Sequence, residues 1–264
     1  MVICKVLTIQ TLASGSKGNA TVISSPTTRI LVDVGLTLPR LLKRLHTANI
    51  DPNTIRDVIV THEHVDHVLG VSSFIKHFGA RLHVHRDTRD LFPEIADENI
   101  ELFTKPFTIG DIEVSFFNVP HDSNFCFGYN FKNGKAKISI AVDLGRVSQD
   151  VINQMSASQI VMLECNHDLL RLQTNKNYSL LLKRRITNSN GHLSNPACAL
   201  AVYQLAKAGV TQIILAHLSE QNNSPTLAYE CVKNFLQKQG ITEGKDIFID
   251  IASQNDVGLP FSVD

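Results

Sequence analysis

Nowhere in its 264 residues does the chain hold an uninterrupted run of about 18 apolar side chains, so no membrane-spanning helix is expected. Its beginning, MVICKVLTIQTLASGS, interleaves apolar residues with Thr, Gln and Ser and reads as a strand, not as the h-region of a signal peptide. Cysteine is sparse: Cys4, Cys126, Cys165, Cys198 and Cys231 are scattered and odd in number, without the paired spacing of a disulfide framework or a thiolate zinc knuckle. These absences fit a reducing cytoplasm. Net charge is lacking too, because 25 basic residues balance 25 acidic ones, and no global field draws the protein to nucleic acid or an anionic membrane. A polyanion site must then be local. Acidic residues vanish altogether between Leu169 and Ser219, where Arg171, Lys176, Lys183, Arg184, Arg185 and Lys207 remain. Such a stretch is either a solvated helix face or a surface for a phosphodiester backbone, with Lys183, Arg184 and Arg185 as candidate contacts.

No low-complexity linker and no short internal repeat interrupts the sequence. With 43% hydrophobic and 19% charged residues the composition is that of a folded globular chain, and one domain over residues 1–264 is the expectation. β-rich runs at 6–13 and 20–25 flank SGSKGN, whose Gly15, Gly18 and Asn19 suit a tight turn. RILVDVG (29–35) is a third strand, after which Leu38, Leu41, Leu42 and Leu45 recur at helical spacing. DVIVT (57–61) runs into the polar HEHVDH, followed by a helix around VSSFIKHF that Gly79 closes. Strand signals repeat at 81–85, 112–120, 125–131 and 137–143, with Asn133-Gly134 marking a hairpin, and this block reads as antiparallel. Helices and strands then alternate: a helix from Val147, a strand at 160–166, helical patterns near 169–186 and 196–208, a strand at 211–217, a helix near 226–239 and a strand at 246–252. The pattern predicts an α/β protein in which two sheets pack face to face with helices outside.

Chemistry concentrates in six residues, His62-Glu63-His64-Val65-Asp66-His67. In an extended segment His62 and His64 point the same way, and as the chain turns into the following helix Asp66 and His67 can face the same cavity. Four ligands then come from one loop. Imidazole and carboxylate without thiolate suit Zn²⁺, Mn²⁺ or Fe²⁺.

THEHVDH resembles the HxHxDH signature of the metallo-β-lactamase superfamily, and LVDVG, NVPHDS, AVDLG and LAHLS follow in the order that superfamily shows. The likeness is closer to its YycJ/WalJ-like subfamily, whose characteristic segments are echoed by TLASGSKGN, ECNHD and GHLSN. The resemblance implies an αββα sandwich of two mixed sheets with two divalent metal ions. His62, His64 and His121 would hold one ion, Asp66, His67 and His217 the other, and Asp143 would bridge them. A water between the ions, its pKa lowered from about 15.7 toward 7, would serve as nucleophile. Asp66 and His192 are the candidate catalytic residues, Asp66 as a ligand and His192 as phosphate stabiliser or proton donor, unless His192 is a capping or core histidine. Asp33 would support the metal loop from behind, or be a plain turn aspartate. Ser14 and Asn19 would offer donors to a substrate, unless the loop is only a hairpin turn. Asn166 and His167 would line the rim, with a buried hydrogen-bonded histidine as the other reading of His167.

A carboxylate at the bridge, where secreted lactamases usually carry cysteine, argues against antibiotic hydrolysis. The subfamily resemblance implies a DNA exonuclease, 5′ to 3′. A phosphodiesterase for cyclic or nucleotide-sized substrates is the second reading, glyoxalase-type thioester hydrolysis ranks third, and a metal-bound regulatory protein without turnover is a reading from another class. Only 73 residues separate Asp143 from His217, too few for the large cap domain of the ribonuclease J relatives. The substrate channel is therefore expected to be shallow, or completed by loops and the second subunit of a homodimer.

Overall fold

The computed structural model describes residues 6–264. Cys4 and Lys5, at the start of the expected N-terminal strand, lie outside them. The first sheet is built from β1 (Leu7–Ala13), β2 (Ala20–Ser24), β3 (Arg29–Val32), β4 (Asp57–Ile59), β5 (Arg81–His85) and β6 (Ile100–Phe103). The second contains β7 (Phe107–Ile109), β8 (Ile112–Asn118), β9 (Phe127–Asn133), β10 (Ala136–Ala141), β11 (Ile160–Glu164), β12 (Gln212–Ala216) and β13 (Phe248–Ile251). The last strand, β14 (Phe261–Val263), returns to the first sheet, so the orders are β14-β1-β2-β3-β4-β5-β6 and β13-β12-β11-β10-β9-β8-β7. Each sheet changes character midway. Pairings from β14 to β3 are antiparallel and those from β3 to β6 parallel; pairings from β7 to β10 are antiparallel and those from β10 to β13 parallel.

Three apolar layers follow from the alternation of side chains along the strands. Ile30 and Val32 point between the sheets toward Tyr129, Ile138, Ile140 and Ile214, whereas Leu31 points outward to α1 (Leu38–Thr47) and toward Phe74. Ile213 and Leu215 likewise face outward, toward Val202, Leu205 and Val232. Because the central parallel strands β3, β4, β11 and β12 are buried on both faces, they read as nearly continuous apolar runs. The arrangement is an αββα sandwich, as the sequence predicted.

The remaining helices are α2 (Val65–Val68), α3 (Val71–Phe78), α4 (Gln149–Met155), α5 (Leu169–Thr174), α6 (Leu180–Thr187), α7 (Asn195–Lys207) and α8 (Pro225–Lys238). Two expectations need correction. The segment at 81–85, read with the antiparallel block, is β5 and pairs in parallel with β4 and β6. The helical pattern over 169–186 is broken in two, because the Asn175 side chain accepts from the Asn177 N–H and Ser179 caps a new helix by accepting from the Leu182 N–H. Three short strands, β6, β7 and β14, carried too few residues to show a period.

The HEHVDH loop is seated by backbone contacts, not by its own helix. Asn19 N–H donates to Asp66 O at 2.8 Å, Val34 N–H to His67 O at 2.7 Å, and Gly70 N–H to Val34 O at 2.7 Å. Gly35 permits this approach, since a Cβ there would lie 1.7 Å from Asp66 O, a backbone atom that cannot swing aside. Gly35→Ala should therefore displace the loop and destabilise the protein by about 1–3 kcal/mol. A urea unfolding midpoint equal to that of the wild type would contradict this close approach.

Candidate metal centre

The parallel strands end along one edge, and the candidate residues follow those ends. Asp33 comes directly after β3, His62 to His67 after β4, Asp143 after β10 and His217 after β12. Asp33, Asp143 and His217 share a left-handed backbone, with φ of 61°, 54° and 53°. Asp and His tolerate this region better than most residues, yet each such position costs of order 1–3 kcal/mol that its surroundings must hold. Strand register does the rest. Glu164 is level with Ala216, so His217 leaves β12 beside the Glu164 carboxylate.

Ligand-type atoms gather in two clusters. His62, His64 and His121 form one and Asp66, His67 and His217 the other, with the ligand atoms of each cluster within 4.8 Å of one another. Asp143 groups with His62 of the first cluster and His67 of the second, again within 4.8 Å. The atoms face inward without being satisfied by one another. His62 Nε2, Asp143 Oδ2 and His217 Nε2 are buried and lack a directed hydrogen bond, although Asp143 Oδ2 lies 2.8 Å from His67 Nε2. His121 Nε2 stands 3.3 Å from His64 Nδ1, and His217 Nε2 stands 3.5 Å from Asp66 Oδ2. Buried polar atoms left this way are rare, and a pair of divalent cations would satisfy all of them. The donor set, nitrogen and oxygen without sulfur, fits such ions.

The other ring nitrogens are held from behind. His67 Nδ1 donates to Asp33 Oδ2 at 2.8 Å, and Asp33 also accepts from the Thr61 N–H at 2.8 Å. His121 Nδ1 donates to Gly191 O at 3.1 Å. His62 Nδ1 meets Thr61 Oγ1 at 3.1 Å. Each of these bonds fixes the tautomer that leaves the opposite nitrogen free to bind a cation. Glu164, which the sequence reading did not assign, is fully buried and reaches His192 Nδ1 at 2.8 Å and His217 Nδ1 at 3.1 Å. Its other oxygen accepts from the N–H groups of Leu144 at 2.8 Å and Leu193 at 3.2 Å. The signal was present, since a glutamate closing the apolar run IVMLE is costly to bury unless it is paired.

Charge balance governs the protonation of these groups. Burial works against a charged His67, but Asp33 and Asp143 outweigh it and push its pKa up to about 10. His192 is likewise raised to about 10 against burial, by Glu164 and Asp143. His217 is raised well above the ordinary histidine value against burial, chiefly by Asp143. His62 goes the other way, lowered by burial and by His67. Burial opposes the charge of Asp143, but His217 and His67 hold its carboxyl well below the usual range.

Comparison with known proteins matches this arrangement to one family. The sequence profile described as the metallo-beta-lactamase superfamily matches residues 13–137, a span that holds the His62 to His67 loop and His121. The chain is 31% identical to exodeoxyribonuclease YycJ of Bacillus anthracis over 240 residues, 89% of this chain and 90% of the relative. It is 30% identical to exodeoxyribonuclease WalJ of Streptococcus pneumoniae over 243 residues, with 89% and 90% covered. The chain belongs to the metallo-β-lactamase superfamily. Among solved structures, the metallo-β-lactamase fold protein YhfI from Bacillus subtilis superposes with a TM-score of 0.76 at 16% identity, covering 98% of this chain and 100% of that one. The fold and the two clusters make this superfamily member a metal-dependent hydrolase. No helix among its described residues is long and apolar enough to cross a membrane.

A cleft of about 260 Å³ opens over the clusters, reaching His64, Asp66, Asp143, His192 and His217. Asn166 lines it and also donates to His217 O at 2.9 Å. Several substrate-contact expectations are corrected. Ser14 and Asn19 are buried and do not line the cleft: Ser14 Oγ accepts from the His217 N–H at 2.8 Å, and Asn19 Nδ2 lies 3.0 Å from His67 Nε2. They position the site instead. His167 is buried, as one reading of it had it, and does not line the cleft; neither ring nitrogen is hydrogen-bonded among the described residues, and burial lowers its pKa to about 4. The acid-free stretch is not one basic face. Lys183 Nζ donates to Gln173 O, Arg171 donates to Asn223 O, and Lys207 lies over the Tyr203 ring. Neither Lys183 nor Arg184 lines the cleft; Arg185 does, bonded to Asp122.

Because His67 and His217 carry protons at neutral pH in the metal-free protein, loading two divalent ions must release them. Affinity should rise with pH up to about 10, the value to which His67 is raised, and titration calorimetry in buffers of different ionisation heat should show proton release. Heats independent of the buffer would contradict it.

Proposed function

We propose that the protein is a dinuclear phosphodiesterase that degrades DNA exonucleolytically from the 5′ end in the cytoplasm. The observation that carries the reading is the Asp143 carboxylate standing between a three-histidine cluster and an Asp-His-His cluster at the base of an open cleft. Support for DNA comes from relatives about 30% identical over most of the chain that are exodeoxyribonucleases. His62, His64 and His121 would hold one cation and Asp66, His67 and His217 the other, with Asp143 shared. When bound, such a pair activates water and neutralises charge on the phosphate.

The chain's own residues do the rest. Hydrolysis adds water to phosphorus and breaks a P–O bond, and the departing oxygen needs a proton. His192 lines the cleft, and Glu164 and Asp143 keep its ring protonated at neutral pH, which makes it the donor. Glu164 thereby couples two tasks, holding His217 and charging His192. Arg185, bonded to Asp122 at the cleft rim, is the cation that would meet the phosphate backbone.

With Mn²⁺ or Zn²⁺ added, the protein should release mononucleotides from 5′-labelled duplex DNA, and Asp143→Ala should abolish release. Hydrolysis of bis(p-nitrophenyl) phosphate without release from DNA would favour small diesters instead. Inactivity on both, with metals bound, would sink the reading. Glu164→Gln should lower kcat by about 10- to 100-fold and move the alkaline limb of the pH–rate profile to lower pH, because His192 then loses its proton earlier. A lower kcat with an unmoved limb would separate Glu164 from proton donation.

A further inference from the structure

The phosphodiester reading accounts for the base of the cleft but not for all of its lining. Tyr178, Leu182 and Ile186 also line it, and all three come from α6 or the turn that precedes it. Helix α6 buries none of its eight residues, so its apolar side chains do not serve a core. Its position is nonetheless defined at the carboxyl end. The His192 N–H donates to Ile186 O at 2.8 Å, and a Cβ on Gly191 would lie 2.3 Å from the carbonyl oxygens of Arg185 and Ile186. The same Gly191 carbonyl accepts from His121 Nδ1 at 3.1 Å. Thus the apolar wall and the ligand cluster are tied to one glycine.

A phosphate and its metals give no reason for an aromatic ring and two aliphatic side chains beside them. A nucleobase does. A base presents a flat apolar face, and stacking on an aromatic side chain is worth about 1–3 kcal/mol whatever the base. The cleft, at about 260 Å³, sits at the small end of ligand pockets, which span roughly 300–1,000 Å³. That is space on the scale of one nucleotide. Within residues 169–219 no carboxylate opposes an incoming polyanion.

Resting on the phosphodiesterase reading, we propose that Tyr178, with Leu182 and Ile186, forms the subsite for the base of the nucleotide at the scissile phosphate. The nucleotide whose 5′-phosphate is cleaved is held unpaired, with its base turned out of the duplex stack onto the Tyr178 ring. Opening that pair costs energy which the stacking offsets.

Two small esters test this directly: thymidine 5′-(p-nitrophenyl phosphate), which carries a base, and methyl p-nitrophenyl phosphate, which does not. The wild-type protein, loaded with Mn²⁺, should prefer the nucleoside ester in kcat/KM. Tyr178→Ala should reduce that preference by about 5- to 150-fold, and Tyr178→Phe, which keeps the ring, should retain it. Leu182→Ala should reduce it less. A preference unchanged in Tyr178→Ala, or lost equally in Tyr178→Phe, overturns the base subsite while leaving the phosphodiesterase standing. A wild-type protein that degrades DNA but hydrolyses neither ester overturns the base subsite alone, whereas one inactive on DNA and on both esters overturns the phosphodiesterase reading and the subsite with it.

Discussion

The structure turns on buried negative charge that, among the described residues, no lysine or arginine neutralises. Asp33, Asp143 and Glu164 are each at most 3% exposed, and every ion pair they make is with an imidazole. Carboxylates in such surroundings are costly unless cations stand beside them. An arginine would neutralise them permanently. Histidine instead holds the charge as a proton that a divalent ion can replace. The raised values of His67, His192 and His217 and the lowered value of Asp143 are two sides of that balance.

Sheet topology explains why these groups meet. In each sheet the pairing changes from antiparallel to parallel at the fourth strand, and the parallel strands finish together. Crevices at the carboxyl ends of such strands are where open α/β sheets bind ligands. The two sheets repeat the device. β3 runs into Asp33-Val34-Gly35 and β10 into Asp143-Leu144-Gly145, and both aspartates adopt the left-handed conformation. The halves then diverge in chemistry. Asp33 hydrogen-bonds the back of His67, whereas Asp143 reaches the front of the same ring and looks toward His62.

Close backbone approach is the second constraint. Gly35 admits Asp66 O, Gly145 lies where a Cβ would meet the Ser189 carbonyl at 2.4 Å, and Gly191 lets α6 settle against the loop that carries His192. Through these contacts a helix without a buried residue acquires a fixed place at the mouth of the cleft. Leu182 and Ile186 thereby line the cleft.

Local sequence alone was enough for the HEHVDH cluster, for the alternation of strands and helices, and for the layered sandwich. Ligand density within six residues, and periods of two and 3.6, are properties of short segments and survive without tertiary context. Resemblance to a family added His121, Asp143 and His217, whose spacing carries no local signal. Glu164 stayed hidden because its partners, His192 and His217, are brought to it only by the register of β11 with β12 and by the return of the GHLSN loop. The basic stretch shows what a run in sequence leaves open. A run of cations in sequence implies a face only if the backbone keeps them together, and here Arg171 and Lys183 bond separate backbone carbonyls while Arg185 turns to Asp122 at the cleft rim. Composition and short-range pattern thus determined which chemistry the protein carries; long-range pairing decided which atoms share a cavity, because distances across sheets are set by register and not by separation along the chain.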